Sequence, residues 1–396
     1  MKLKCVLAAG VCAAVLMGAA PAKKSPPPIA QYWMDVSTQS GMGAGAGARP
    51  SMDQVMAMMN GGGGAVGHTI DLRLASQRKP AGAPQADHFI PQALQMGASL
   101  PLVTPVREPT PPPAMPFQQP KGRMLIYWGC GEHVAGAQPM VVDFAKVASG
   151  QVPAAYKAMA ATAQMVTGPQ SAPGFGRWPN DRDSRAVPAA GSLLGAHQIK
   201  ASYAPEIDFS LAAGQDFMPG LALREAGALP SGASRLQWTP AAQATGYALA
   251  LFGSGQNGDV IMWSSAKTAR MALLDYIAPG EVKRLIAAGA VLPPSESQCI
   301  LPAEVAAAVP MGMVTMIGYG PEVNFAEKPN APKWVAKVRY KTTASVMRGM
   351  SGMMGGADGD EAADQPQQRQ QVQQPPKKKR GFGLGDLING VIQQQQ

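Results

Sequence analysis

Between Arg235 and Trp263 the apolar side chains alternate, at Leu236 and Trp238 and again at Tyr247, Leu249 and Leu251. A period of two is the pattern of a strand with one buried face. Gly253-Ser254-Gly255-Gln256-Asn257-Gly258 then breaks the run before Val260-Ile261-Met262-Trp263, as a hairpin turn does. A chain of such runs has to build sheets, because each strand leaves backbone groups and an apolar face for neighbours to cover. With Gly 45 and Pro 37 among 396 residues, the punctuation is too frequent for a helical bundle. The expected fold is mainly β: two tandem β-sandwich-like modules, a few short helices and disordered termini.

Lys2 and Lys4, an apolar run from Cys5 to Ala20 and the small-x-small site Ala20-Pro21-Ala22 read as a signal peptide over 1–22. Residues 23–66 are low in complexity and are expected to be flexible. A first β module is expected over 67–167, with strands at Ile70–Leu74, Arg123–Trp128 and Met140–Val147, a proline-rich spacer over 109–120 and a helix over 152–166. A loop over 168–195 separates it from a second β module over 196–345. There Pro279–Gly289 has the spacing and ends of an amphipathic helix, Pro302–Val309 reads as a further helical turn, and 311–325 and 334–342 read as strands. The tail over 346–396 is expected to be disordered, with a short amphipathic segment at Leu384–Ile392. The tandem reading rests on an echo: Ile207-Asp208-Phe209 repeats Ile70-Asp71-Leu72, and Arg235 to Trp238 repeats Arg123 to Trp128.

The pattern Trp238-Thr239-Pro240, then Ala244-Thr245-Gly246-Tyr247-Ala248-Leu249, resembles strands B and C of a fibronectin type III-like β-sandwich module, over residues 224–342. The resemblance implies a sandwich of short strands there. It implies no activity, since a fold of this kind serves many functions.

Cys5 and Cys12 lie in the signal segment, which leaves Cys130 and Cys299. In an oxidising compartment an even pair reads first as a disulfide. Cys130-Gly131-Glu132-His133 places a thiol near an imidazole, which also fits a soft-metal site. Thioethers favour the same metals, and they cluster at Met52, Met56, Met58 and Met59 and at Met347, Met350, Met353 and Met354. Gly253-x-Gly255-x-x-Gly258 matches a dinucleotide fingerprint in form, but a strand follows it where a helix is required. The segment Arg177, Trp178, Asn180, Asp181 and Arg182 reads as a recognition loop.

No nucleophile elbow, zinc-protease or phosphate-loop motif occurs in the sequence. The expected function is therefore an exported, non-enzymatic binding or scaffold protein of the cell envelope, periplasmic or secreted, with no cofactor. Its expected partners are envelope proteins or anionic envelope polymers, without nucleic acid and without a transmembrane span after signal cleavage. The alternatives are a periplasmic copper-binding protein using the Met-rich segments with Cys130 and His133, and an envelope hydrolase with an unrecognised site.

Overall fold

A computed structural model describes residues 26–41, 66–105, 122–151, 154, 167–270, 275–330 and 332–349. The signal segment, the proline-rich spacer over 109–120, nearly all of the helix expected over 152–166 and the tail from 350 lie outside the described residues. In chain order the strands are β1 (Ala30–Gly41), β2 (Gly67–Ser76), β3 (Ala86–Phe89), β4 (Ser99–Pro101), β5 (Arg123–Trp128), β6 (Met140–Asp143), β7 (Gly174–Trp178), β8 (Gly195–Ala201), β9 (Ile207–Leu211), β10 (Arg224–Ala228), β11 (Ser234–Gln237), β12 (Gly246–Ser254), β13 (Val260–Ser264), β14 (Gln298–Leu301), β15 (Gly312–Ala326) and β16 (Trp334–Arg348). The helices are α1 (Phe144–Ala148), α2 (Pro279–Ala287) and α3 (Ala303–Ala308).

The fold is mainly β, with short helices, as the punctuated alternation implies. A nine-stranded sheet runs β6-β5-β13-β12-β15-β16-β1-β2-β7. A three-stranded sheet, β10-β11-β14, and a four-stranded sheet, β4-β3-β8-β9, accompany it. Tyr32, Met34 and Val36 of β1, Val338 and Tyr340 of β16 and Leu249 and Leu251 of β12 share one face of the large sheet. They form a single core with Leu100, Ile199 and Ile207 of the four-stranded sheet and Leu236 and Leu301 of the three-stranded sheet. The two small sheets therefore cover the same face, in the manner of a sandwich. Full burial of side chains of this size is worth about 1.5–3 kcal/mol each, which makes this interface the principal source of cohesion. On the opposite face Val282 and Leu285 of α2 pack on Ala248, Ile317 and Tyr319.

Three sequence expectations are corrected here. First, 23–66 is not flexible throughout. Residues 30–41 form β1, hydrogen-bonded on both sides in the interior of the large sheet, and Ala30, Tyr32, Met34 and Val36 are almost wholly buried. Gly and Pro in the flanks hide a run whose two faces are both covered, and such a strand lacks clear alternation. Second, the halves are interleaved rather than set side by side. β1, β2 and β7 extend the sheet beyond β16, while β5 and β6 extend it beyond β13. The echoed segments occupy unlike places: β2 and β5 lie in the large sheet, β9 and β11 in the small ones. Alternating strands resemble each other whatever sheet they join, which accounts for the echo. Third, β16 continues to Arg348, past the expected boundary at 345.

Local signals were otherwise well placed. Pro279 opens α2, and Gly289 at φ 68° ends it in the left-handed conformation glycine tolerates. Asp143 accepts the backbone N–H groups of Ala145 and Lys146, so it caps α1 and stops β6 short of the expected Val147. The Gly253–Gly258 segment is the turn between the antiparallel β12 and β13.

Cys130 and Cys299 are joined, with Cα atoms 5.2 Å apart and a sequence separation of 169. Cys299 lies on β14. The turn after β5 docks along that strand, because the Gly131 amide donates to the Ile300 carbonyl (2.9 Å) and the Ala303 amide to that of Glu132 (2.9 Å). Closing so long a loop restrains the unfolded chain by about 5 kcal/mol in the chain-entropy model. Reduction under native conditions should therefore lower the denaturant midpoint, and intact mass of unreduced, alkylated protein should show no adduct on these two thiols. Interleaving yields a second expectation. A fragment over 195–349 leaves the long edge of β16 bare and should associate or melt without cooperativity by circular dichroism. A monomeric, cooperative melt would show instead that the second half is self-sufficient.

Candidate functional site

Charged residues make up only 15% of the chain, yet many of them meet on one face of β2, β1, β16 and β15. The register builds two rows across these strands. Asp71, Asp35, Arg339 and Glu322 are successive partners in one row, and Arg177, Arg73, Trp33 and Lys337 in the next. Alternation sends these side chains away from the core that holds Tyr32 and Met34.

Charges pair both within and between these rows. Arg339 Nε donates to Asp35 Oδ1 at 2.6 Å and Nη2 to Asp35 Oδ2, a two-pronged contact whose side chains are 8% and 5% exposed. Arg73 lies 2.8 Å from Asp71, and Lys337 lies 2.6 Å from Glu322. Rings are threaded between the cations. The Arg339 guanidinium sits 4.7 Å from the centroids of both Trp33 and Tyr276, Lys337 5.0 Å from Trp33 and Lys341 4.1 Å from Tyr276. Such contacts gain strength when water is excluded. Asp275, beside Tyr276, accepts from Lys341 at 3.0 Å. Gly168 passes over the ladder so closely that a Cβ there would lie 3.1 Å from Trp33.

The direct opposition of Asp35 and Asp71 is costly for like charges. Burial raises the Asp71 carboxyl above its ordinary value, Arg73 draws it down, and Asp35 adds to the rise. Burial also raises Asp275, but Lys341 and the Tyr276 amide outweigh it and leave the carboxyl below its usual value. Tyr276 is raised well above its usual value by burial and then by Asp35, so its hydroxyl stays protonated. Asp71 and Asp275 reach outward, with side chains 45% and 55% exposed, as does the exposed Arg177, while Arg73, Lys337 and Lys341 lie beneath at 22%, 24% and 16%.

Of this lattice, Arg177 alone was singled out in the sequence, as part of the recognition loop. The available signal was an acid or base at alternate positions of apolar strands, as in Asp71 and Arg73 or Lys337, Arg339 and Lys341. The residues that were singled out fare differently. Trp178 is 2% exposed and belongs to the core, so it is not a recognition side chain. Arg177 and Trp178 end an edge strand and not a loop. The Asn180 side-chain amide donates to the carbonyls of Pro101 (2.8 Å) and Arg177 (2.9 Å), which makes it a turn anchor; Asp181 and Arg182 remain exposed. The disulfide occupies the Cys130 sulfur, which removes it as a thiolate ligand. His133 bonds Glu304 at 3.0 Å. Met347 pairs in register with Met313 on β15. Met52, Met56, Met58, Met59, Met350, Met353 and Met354 lie outside the described residues. Among the described residues no helix is long and apolar enough to cross a membrane.

Removing one partner of the buried pair leaves the other charge uncompensated. Asp35→Ala or Arg339→Ala should each cost about 3–5 kcal/mol in a denaturant titration. The double change Asp35→Leu with Arg339→Met should cost far less than the sum of the two truncations.

Comparison of the chain with protein-family models, with curated proteins and with solved structures gives no match.

Proposed function

We propose that the chain is an exported, non-enzymatic binding or scaffold protein of the cell envelope that engages its partner through the charged face of β2, β1 and β16. The lattice carries this reading. It places outward carboxylates at Asp71 and Asp275 over a layer of cations at Arg73, Lys337 and Lys341. Donors and acceptors thus alternate across a rigid sheet whose rotamers are already fixed by ion pairs and rings, which lowers the ordering cost of binding. Mixed charge of this kind suits a partner that presents both signs, such as another envelope protein, better than a purely anionic polymer. The Cys130–Cys299 bond supports an oxidising compartment.

The fibronectin type III-like reading of the second half belongs to the same proposal. Counted from β10, the first, second and fifth strands form one sheet, and the fourth, third, sixth and seventh lie in that order within the other. Two sheets with crossing connections are the plan of such sandwiches. The first half then serves to widen one sheet, and the widened part carries the lattice.

A photo-crosslinking residue placed at 71 or 275 in the native envelope tests the proposal. Both positions should yield the same discrete adduct, and Lys337→Glu should abolish it without altering the melt by more than a few degrees. Adducts at an exposed site elsewhere, such as position 95, with none at 71 and 275, would reject this face. Salt-sensitive cosedimentation with a sulfated polymer, lost in Lys337→Glu, would favour the anionic partner instead.

A further inference from the structure

The four-stranded sheet meets the large sheet through three buried polar rings. Tyr32 Oη on β1 lies 2.9 Å from His88 Nδ1 on β3. His88 Nε2 lies 2.9 Å from His197 Nδ1 on β8, and His197 Nε2 lies 2.7 Å from the Leu193 carbonyl. Tyr32 is 0% exposed and each histidine 1%. A carbonyl can only accept, and that fixes every proton in the chain. His197 holds its proton on Nε2 and accepts on Nδ1. His88 therefore donates from Nε2 and accepts on Nδ1, and the Tyr32 hydroxyl donates. Three links use three protons, and both imidazoles are neutral.

A fourth proton has no place. It sets two donors against each other in one link, or it turns the Tyr32 oxygen into an acceptor and leaves that O–H without a partner in the chain. Nor, among the described residues, do the surrounding elements supply a counter-charge. On β9, Phe209 stacks on His197 at 5.1 Å, and on β15 Phe325 stacks on Phe209 at 4.9 Å. Asp208 of β9 accepts from Gln198 on the outer side, Asp87 of β3 accepts from Ser99, and Lys200 of β8 lies over Phe89. Asp216 accepts from the Ser192 hydroxyl and the Leu193 amide, so it holds the loop whose carbonyl ends the chain. Asp71 on β2 belongs to the opposite face and acts on Tyr32 only by raising its hydroxyl further.

We propose that Tyr32, His88 and His197 form an acid-sensitive latch that holds the four-stranded sheet to the large sheet at neutral pH and releases it when a proton enters the chain. Burial lowers His197 to about 4 and His88 well below its ordinary value, His197 adding to the latter shift. The unfolded or released chain thus binds more protons below 6.5. Latch stability is complete above that pH and is lost as pH falls toward 4.

Amide exchange of the full chain, corrected for its intrinsic pH dependence, tests the latch at pH 7.5 and 4.5. Protection of β3, β8 and β9 should fall at least tenfold relative to β11 and β14. Tyr32→Phe/His88→Leu/His197→Met removes every polar link and should lose no protection between the two pH values. Ring NMR of the unaltered protein gives a second readout that does not need the variant to fold: both imidazoles should stay neutral until protection is lost, and then titrate with it. An imidazole titrating near 6.5 while β3, β8 and β9 stay protected would overturn the proposal, as would uniform loss of protection in every sheet. Neither outcome touches the reading of the charged face.

Discussion

The Asp35–Arg339 pair sits where the first and last described strands meet. β1 and β16 are parallel and 304 residues apart along the sequence at this contact. A hairpin sets register through its turn, but a parallel pair between distant strands has none, and a slip of one residue would exchange core and solvent faces. Were β1 to slip by one, Tyr32 and Met34 would leave the core and Asp35 would enter it. The two-pronged contact is geometrically demanding, so it discriminates against that slip more strongly than apolar packing does. Everything beyond β16 depends on it: β2 and β7 attach to β1, and the four-stranded sheet is hydrogen-bonded to β1 through Tyr32.

The same problem recurs at the other join. β5 and β13 are also parallel, and their register is likewise fixed by side chains. Arg123 donates to Asp259 through Nε (3.2 Å) and Nη2 (2.7 Å), and its backbone N–H donates to the same carboxylate. At the far end the Trp263 indole N–H donates to the Gly129 carbonyl, and the disulfide follows. Each first-half extension of the large sheet is thus locked by an arginine–carboxylate pair. A long sheet assembled from distant segments needs such locks because the entropy of closing large loops must be met before apolar contacts form.

How much of this was legible follows from where the information lies. Antiparallel neighbours close in sequence, such as β12 with β13, announce themselves by alternation and a glycine turn. The cysteine pair was legible because Cys130 and Cys299 are the two that follow the segment read as a signal peptide. β1 was missed because both its faces are covered, so Trp33 and Tyr32 are buried alike and no period of two appears. The parallel joins were missed because register between distant strands is written in side-chain pairs, and one sequence does not reveal that Asp35 faces Arg339. The four histidines, at 68, 88, 133 and 197, are far apart in sequence, and β3 and β8 are adjacent only in the sheet, which sets His88 diagonal to His197. Trp178 misled because a tryptophan amid Arg, Asp and Pro resembles a loop anchor, while its indole fills the core from an edge strand.

Two buried polar systems therefore lie on opposite faces of β1, and Asp71 of the one responds to acid in the opposite sense to the histidines of the other. The lattice is built of charges that compensate one another. Its strained member, Asp71, has a raised carboxyl and gains a proton more readily folded than unfolded, so falling pH relieves its opposition to Asp35 and favours the fold there. The histidine chain is built of neutral groups with every proton already placed, and the same acid adds a charge that nothing nearby offsets. Mild acid thus favours the fold at Asp71 while it weakens the contact between β1 and the four-stranded sheet. One strand, through alternate side chains, carries both the permanent joint of the molecule and the one that responds to protons.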